Sequence, residues 1–409
     1  MGFELPYLSV LNAMSCRKER YAQLINLEPI VLAKNFLSLN SVVGCRNDCV
    51  YCYKHSWNFL DKFVPHQIYS VSQIVDNLLN HPYYAENIPL AIHNSATDPF
   101  QKGVKNVTYE IMDSLENLGI KNIVALITKE YVSKKDIERI ESFENIKPVL
   151  FVSYSGLPLN YERVVDDRRL KTMQNLKESN LKKILYYRPI IKGVNDDVNT
   201  IEKIIELGDE YFDAIVRSSI KLDVNTVLYM ASKGITLDSS YDIGMNIHDS
   251  RKVLPEKSRS IVDEALKKSK IPVYKKTSCA VSYLYSKPDY HSQWIRSDIY
   301  CTNSCPASQK KLCNDSKNEA VDVIKLNKLL ERMDKPLKFK VINSSIIVPG
   351  KEYSCSDIKF LRMATNHPVL AEIDGEFLTA EEQDMKYYNM DRVEVKKFLA
   401  EKIKILNLE

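Results

Sequence analysis

The sequence predicts an α/β fold, built as a partial (β/α)6 barrel. Three observations carry this. Short β-rich runs alternate with longer runs of helical spacing about six times between residues 36 and 217. Such alternation argues for parallel strands joined by helices, and right-handed crossovers curl them into a full or partial barrel. The conspicuous polar runs each follow a strand directly, which is where barrels of this kind place their chemistry.

In order, residues 1–34 read as a mixed, mostly helical lead-in, and Phe36–Val43 as the first strand. Val71–Leu79 has helical spacing, with Ser70 or Ser72 as its cap. Strands then follow at Leu90–His93, Asn122–Ile127, Val149–Tyr154, Lys183–Ile191 and Ala214–Arg217. Helices at Val107–Leu118, Lys134–Ser142, Arg168–Ser179 and Val198–Gly208 separate them. After Tyr229 the pattern loosens; Ser258–Ser269 is helical and Ile271–Lys276 strand-like. Residues 279–313 are polar and turn-rich. The remainder predicts a small α+β unit: a helix at Val321–Met333, a hairpin over Leu337–Val348 turning at Asn343 and Ser344, a short helix at Asp357–Ala364 and a closing helix at Val393–Leu406. The expected organisation is a lead-in (1–34), the barrel (35–278), a cysteine-bearing extension (279–316) and the α+β unit (317–409).

The chain of 409 residues is 44% hydrophobic and 27% charged, ordinary for a soluble globular protein. A net charge of +4 does not favour a nucleic-acid partner, though it leaves one open. No stretch approaches the ~18 apolar residues of a membrane helix, and the start has no cationic segment followed by an apolar run. A cytoplasmic protein is expected. The nine cysteines then need another explanation than structural disulfides. Seven fall into two groups, Cys45/Cys49/Cys52 and Cys279/Cys301/Cys305/Cys313; Cys16 and Cys355 stand apart.

The first group is a C-x3-C-x2-C run, with Gly44 before it and Tyr51 before its third cysteine. Three thiolates on one loop can hold three irons of a cubane and leave the fourth open; they could also form part of a zinc site. Glycine lets the backbone approach a cluster closely.

This run, after a strand and before an α/β repeat, resembles the signature of radical S-adenosylmethionine enzymes. The resemblance implies a barrel of the radical SAM type. It implies a 4Fe–4S cluster on Cys45, Cys49 and Cys52 whose open iron binds S-adenosylmethionine. One electron then cleaves the cofactor to methionine and a 5′-deoxyadenosyl radical. An electron donor such as flavodoxin or ferredoxin would be its partner.

Further runs follow the strands: His93-Asn94-Ser95-Ala96-Thr97-Asp98-Pro99, Thr128-Lys129, Ser153-Tyr154-Ser155, and Arg188-Pro189 followed by Gly193-Val194-Asn195-Asp196. As an ordered set, over roughly residues 35–220, they are similar to the spore photoproduct lyase–like branch of those enzymes. The similarity implies that Ser95, Thr97, Asp98, Lys129, Ser153, Ser155, Arg188 and Asn195 contact the cofactor. Lys129 or Arg188 would suit a carboxylate; hydroxyls and Asp98 would suit a ribose or an ammonium. The same residue types also make turns and caps. Spore photoproduct lyases carry a radical-relay cysteine soon after the cluster loop, whereas this chain has none between Cys52 and Cys279.

Cys279 follows a strand-like run, which would place it at the barrel mouth. With Cys301, Cys305 and Cys313 it gives four thiolates, enough for a second, auxiliary 4Fe–4S cluster or a structural zinc. Alternatively the last three bind metal while Cys279 acts catalytically, donating a hydrogen atom or meeting substrate; or all four are plain thiols. His291 could substitute as a ligand. The aromatic stretch from Tyr283 to Trp294 could stack a ring or simply pack over the barrel. The sequence thus predicts an enzyme abstracting hydrogen from a metabolite, peptide or nucleobase. Its rivals are a non-catalytic iron–sulfur sensor or cofactor-binding module, and a zinc-containing nucleic-acid-binding protein.

Overall fold

A computed structural model describes residues 27–56, 62–237, 240–244, 252, 254–292, 294, 297 and 301–380. Most of the lead-in, Cys16 and the closing helix expected at 393–406 lie outside them.

The main body is an eight-stranded sheet. Its strands are β1 (Ile30–Leu32), β2 (Leu37–Leu39), β5 (Leu90–Ile92), β6 (Ile123–Thr128), β7 (Lys147–Ser153), β8 (Lys182–Ile190), β9 (Ala214–Ser219) and β10 (Val273–Tyr274), paired in that order. Two short strands, β3 (Val42–Val43) and β4 (His66–Gln67), pair separately. All pairings from β2 to β10 are parallel; only β1 joins antiparallel. The order has two ends, so strand pairing leaves the sheet open between β1 and β10. Strands β6 to β9 are mostly buried because both faces are covered.

The helices between the strands are amphipathic, as predicted. Val71–Asn80 (α1) starts at Ser70, whose hydroxyl accepts from the Gln73 N–H while the Gln73 side chain returns to the Ser70 N–H. Lys105–Asn117 (α2), Lys134–Glu141 (α3), Asp166–Leu176 (α4) and Val198–Tyr211 (α5) complete the crossovers. Capping sets the starts of two of them: Ser133 caps α3 and Asp197 caps α5.

The structure corrects several expectations. Residues 30–32 form a strand, not part of a helical lead-in. The strand expected over 36–43 breaks at Asn40 and Ser41. Ser41 accepts the Ile68 N–H through its carbonyl and donates its hydroxyl to the Tyr69 carbonyl, turning the chain out of the sheet. The strand expected over 271–276 shortens to Val273–Tyr274. Beyond β9 lie Val224–Ala231 (α6) and Glu256–Ala265 (α7). The stretch expected to be turn-rich contains two helices, Thr277–Leu284 (α8) and Ala307–Asp315 (α9).

Helix α8 departs furthest from expectation. It begins where the Thr277 and Tyr186 hydroxyls meet at 2.9 Å, midway along β8. It ends at Tyr285, whose hydroxyl donates to the carbonyls of Lys147 and Pro148, the first residues of β7. Tyr290 then reaches the Asn35 carbonyl just before β2. The segment therefore runs back to the N-terminal ends of the strands, where Ser282 and Tyr290 line a cavity with Pro89 and Ile123. Ala280, Val281 and Leu284 join the main core.

The last described unit is α10 (Val323–Arg332), β11 (Lys340–Ile342), β12 (Ser345–Pro349), α11 (Cys355–Thr365), β13 (Val369–Ile373) and β14 (Glu376–Leu378). The hairpin turns at Asn343 and Ser344, both at positive φ. The unit docks on the main sheet's first crossover. Tyr83 donates to Asp357, and Asn87 to the last carbonyls of α11.

Candidate functional site

The C-x3-C-x2-C loop leaves β3 at Gly44, whose φ of +96° is open to glycine but strained for other residues. A Cβ there would strike the Val64 carbonyl oxygen. The Gly44 N–H donates to the Ala96 carbonyl in the loop after β5, and the Cys45 N–H to the Lys62 carbonyl. The loop is thereby laid across the C-terminal ends of the strands. Helix α6 clamps it from above: Tyr229 stacks on His55 at 3.6 Å and donates to Asp48 at 3.0 Å. Val50 packs into a small apolar cluster with Leu157, Tyr161, Ile191, Leu222 and Val227. These residues come from the loops after β7, β8 and β9, so the rim of the sheet has a core of its own.

The three thiols are within electrostatic reach of one another. Burial pushes Cys45 up to about 11, with Lys54 opposing and Cys52 adding to the rise. Burial also raises Cys49, which feels both other cysteines. Gln101 donates through Nε2 to Cys45 Sγ at 3.0 Å, and His55 Nε2 lies 2.9 Å from the Cys49 carbonyl. Among the described residues, no three His, Cys, Asp or Glu side chains are arranged to hold one metal ion. The donor set fits a cluster, in which each cysteine binds its own iron.

Asp98 is a tie rather than an open ligand. Its carboxylate accepts from Thr128 Oγ1 and the Lys129 N–H, both at 2.7 Å, and from the Phe100 N–H at 3.0 Å. Asn47, inside the cysteine loop, reaches it at 3.5 Å. Burial raises its pKa against these donors. Asn195 is similarly engaged, bridging the Ile191 N–H to the Ser155 and Pro189 carbonyls.

Lys129 already has a carboxylate. Its ammonium lies 2.7 Å from Glu162 and 3.0 Å from Ser153 Oγ. Glu162 also pairs with Arg169 at 2.5 Å and accepts from the Tyr51 hydroxyl. Glu162 and Arg169 are fully buried. Burial alone would raise the Glu162 carboxyl, but Lys129, Arg169 and the Tyr51 hydrogen bond hold it below its ordinary range. The network sits directly behind Cys49. Arg169 was visible in the sequence only as a residue opening a helix. Glu162 was not visible at all, because an acid in an irregular segment carries no spacing signal.

Other polar groups at this end are unengaged. Thr97 Oγ1, Ser155 Oγ and both ring nitrogens of His93 are buried without a hydrogen-bond partner among the described residues. Burial lowers His93 to about 3, so its ring is neutral. Ser95 is half-buried, its N–H held by Ser38. Arg188 stacks on Tyr186 at 4.7 Å, and no described carboxylate pairs with it.

Cys279, Cys301, Cys305 and Cys313 do gather, but not at the mouth. Cys279 lies on α8 as that helix heads toward the N-terminal ends of the strands, which corrects its expected place. His291 Nδ1 lies 3.0 Å from a guanidinium nitrogen of Arg362.

No protein-family model matches the chain, and no curated protein matches it. Among solved structures it is similar to spore photoproduct lyase complexed with dinucleoside spore photoproduct (TM-score 0.44, 12% identity, 58% of this chain and 75% of that one). It is also similar to a radical SAM methyltransferase from Sphaerobacter thermophilus (TM-score 0.38, 14% identity, 60% and 69%). Likeness at this level carries no argument about function.

Proposed function

We propose that the chain is a radical S-adenosylmethionine enzyme whose open parallel sheet serves as a partial barrel. One observation carries the reading. Three free thiols on one loop at the C-terminal end of a parallel sheet, Cys49 buried and Cys45 and Cys52 half-buried, supply three ligands to a four-iron cluster. Buried, unsatisfied hydroxyls on neighbouring loops offer a polar ligand the partners it needs. Cys45, Cys49 and Cys52 would hold a 4Fe–4S cluster, which when bound would supply the one electron that reductive cleavage of S-adenosylmethionine requires.

This chain's residues have distinct tasks in the reading. Gly44 and Asp98 shape the loop, and Gln101 donates to a cluster sulfur. Thr97 and Ser155 donate to the cofactor's oxygens. Arg188, with no paired acid among the described residues, takes a carboxylate. The Lys129–Glu162–Arg169 network fixes Tyr51 beside Cys49 and does not touch the cofactor. The hydrogen abstracted comes from a carbon of the substrate, and electrons come from a small redox protein such as flavodoxin or ferredoxin.

The test is anaerobic reconstitution with iron and sulfide, reduction, and a 5′-deoxyadenosine assay. Formation of 5′-deoxyadenosine with methionine supports the reading. A cluster that binds S-adenosylmethionine and never cleaves it favours a sensor. Zinc without iron sinks both.

A further inference from the structure

The second cysteine group has a geometry the first lacks. Its thiols come from α8 (Cys279), α9 (Cys313) and the intervening segment (Cys301 and Cys305), and the other three all act electrostatically on Cys279. None of them is in a disulfide. The backbone around them is fastened to β10. Thr302 and Ser304 both donate hydroxyls to the Val273 carbonyl, at 3.1 and 2.7 Å, and Ser304 accepts the Val273 N–H. The group thus sits along the outer edge of the last strand of an open sheet.

Two donors aim at Cys313. The Asp289 N–H lies 3.5 Å from Cys313 Sγ and Gln309 Nε2 lies 3.6 Å from it. Gln309 is itself buried and anchored to the Lys287 carbonyl at 2.8 Å. The buried Tyr274 hydroxyl faces Cys305, its one side-chain hydrogen-bond partner among the described residues. A thiolate there accepts more strongly than a neutral thiol. Four neutral thiols need none of this.

We infer that Cys279, Cys301, Cys305 and Cys313 hold a second iron–sulfur cluster, closed by four thiolates and sheltered by Tyr274, Gln309 and the Asp289 N–H. With every iron ligated by protein, it has no position for substrate. Its placement beside β10 and toward the N-terminal ends of the strands suits it to stapling the sheet edge and carrying electrons. Cys279 is then a ligand, not a catalytic thiol. The cysteines involved are separate from those of the proposed function, so either reading can fail alone.

The test uses the full chain with Cys45, Cys49 and Cys52 all changed to Ala, reconstituted anaerobically. The expected result is about four irons and four sulfides per chain, with a visible spectrum unmoved by S-adenosylmethionine. Q309L should keep the iron and shift the cluster's reduction potential downward, because a donor to sulfur is lost. One zinc and no iron, or no metal at all, overturns the inference. If the triple variant does not fold, the unaltered chain decides. About eight irons support two cubanes, and about four, all responding to S-adenosylmethionine, refute the second.

Discussion

The two cysteine groups solve different problems with the same side chain. The first lies on one loop, three thiols within eight residues, across the C-terminal ends of the strands. The second spans 279 to 313, with two thiols on helices and two between, along the edge of β10. Three ligands leave an iron open to a cofactor; four leave none. Near the first group lie the buried Thr97 and Ser155 hydroxyls, with no hydrogen-bond partner among the described residues, and Arg188, with no paired carboxylate among them. Both groups have donors on a sulfur, Gln101 on Cys45 in the first, Gln309 and the Asp289 N–H on Cys313 in the second. An open site belongs where strand ends deliver loops, and a closed one can sit where the sheet needs an edge covered.

The largest effect expected from this contrast is at the first loop. Changing Cys45, Cys49 or Cys52 singly to Ala should abolish 5′-deoxyadenosine formation, since two thiolates hold a cubane poorly. The iron remaining should be that of the second group. Undiminished cleavage in any one variant breaks the comparison at its base.

Next in size is the network behind Cys49. Glu162→Ala leaves Lys129 without its carboxylate and Arg169 with only Asp166, and breaking such a buried pair costs about 3–5 kcal/mol. Urea unfolding should show it, and Glu162→Gln should recover part of the loss. A change below about 1 kcal/mol would mean that water reaches the network.

Asp98 and Arg188 should then separate. Arg188→Ala should weaken S-adenosylmethionine binding while the cluster's absorbance stays intact. Asp98→Ala removes the tie between the cysteine loop and β6, so cluster retention should fall along with cofactor binding. Identical behaviour of the two variants would place both in the ligand shell and contradict the division of roles.

The smallest effect concerns neither group and serves as their control. Burial would raise Asp357, but Lys335, Ser354 and Tyr83 overcome it and hold the carboxyl below its ordinary range. A depressed acid stabilises the fold above its unfolded pKa of about 3.9, and that contribution fades as pH falls through the lower folded value. Asp357→Asn should therefore flatten the acid limb of the stability curve below about pH 4 and leave iron content unchanged. An unaltered limb would show that Asp357 does not couple docking of the last unit to pH.

The alternation of strands and helices from β5 to β9 was legible because both periods are strong there and caps such as Ser70 and Ser133 mark starts. The first cysteine loop was legible for the same local reason, since its ligands are close in sequence. What sequence hid was non-local. Asp98 and Asn195 carry residue types that suit a ligand, yet the fold uses both as internal ties. Glu162 becomes important only because the fold brings Lys129, Arg169 and Tyr51 around it. Helix α8 was masked by its polar residues; Thr277, Ser278 and Ser282 are buried against the sheet, so polarity did not mean exposure. Its direction, and hence the true place of Cys279, depends on the Tyr285 and Tyr290 hydroxyls reaching strand starts more than a hundred residues earlier in the chain.

The most direct test of the account is Mössbauer spectroscopy of the unaltered chain reconstituted with iron-57, recorded with and without S-adenosylmethionine. The account predicts two cubanes, with the spectrum of one site in one cluster changing when the cofactor binds its open iron and the other cluster silent. A spectrum in which no iron responds to the cofactor would contradict it.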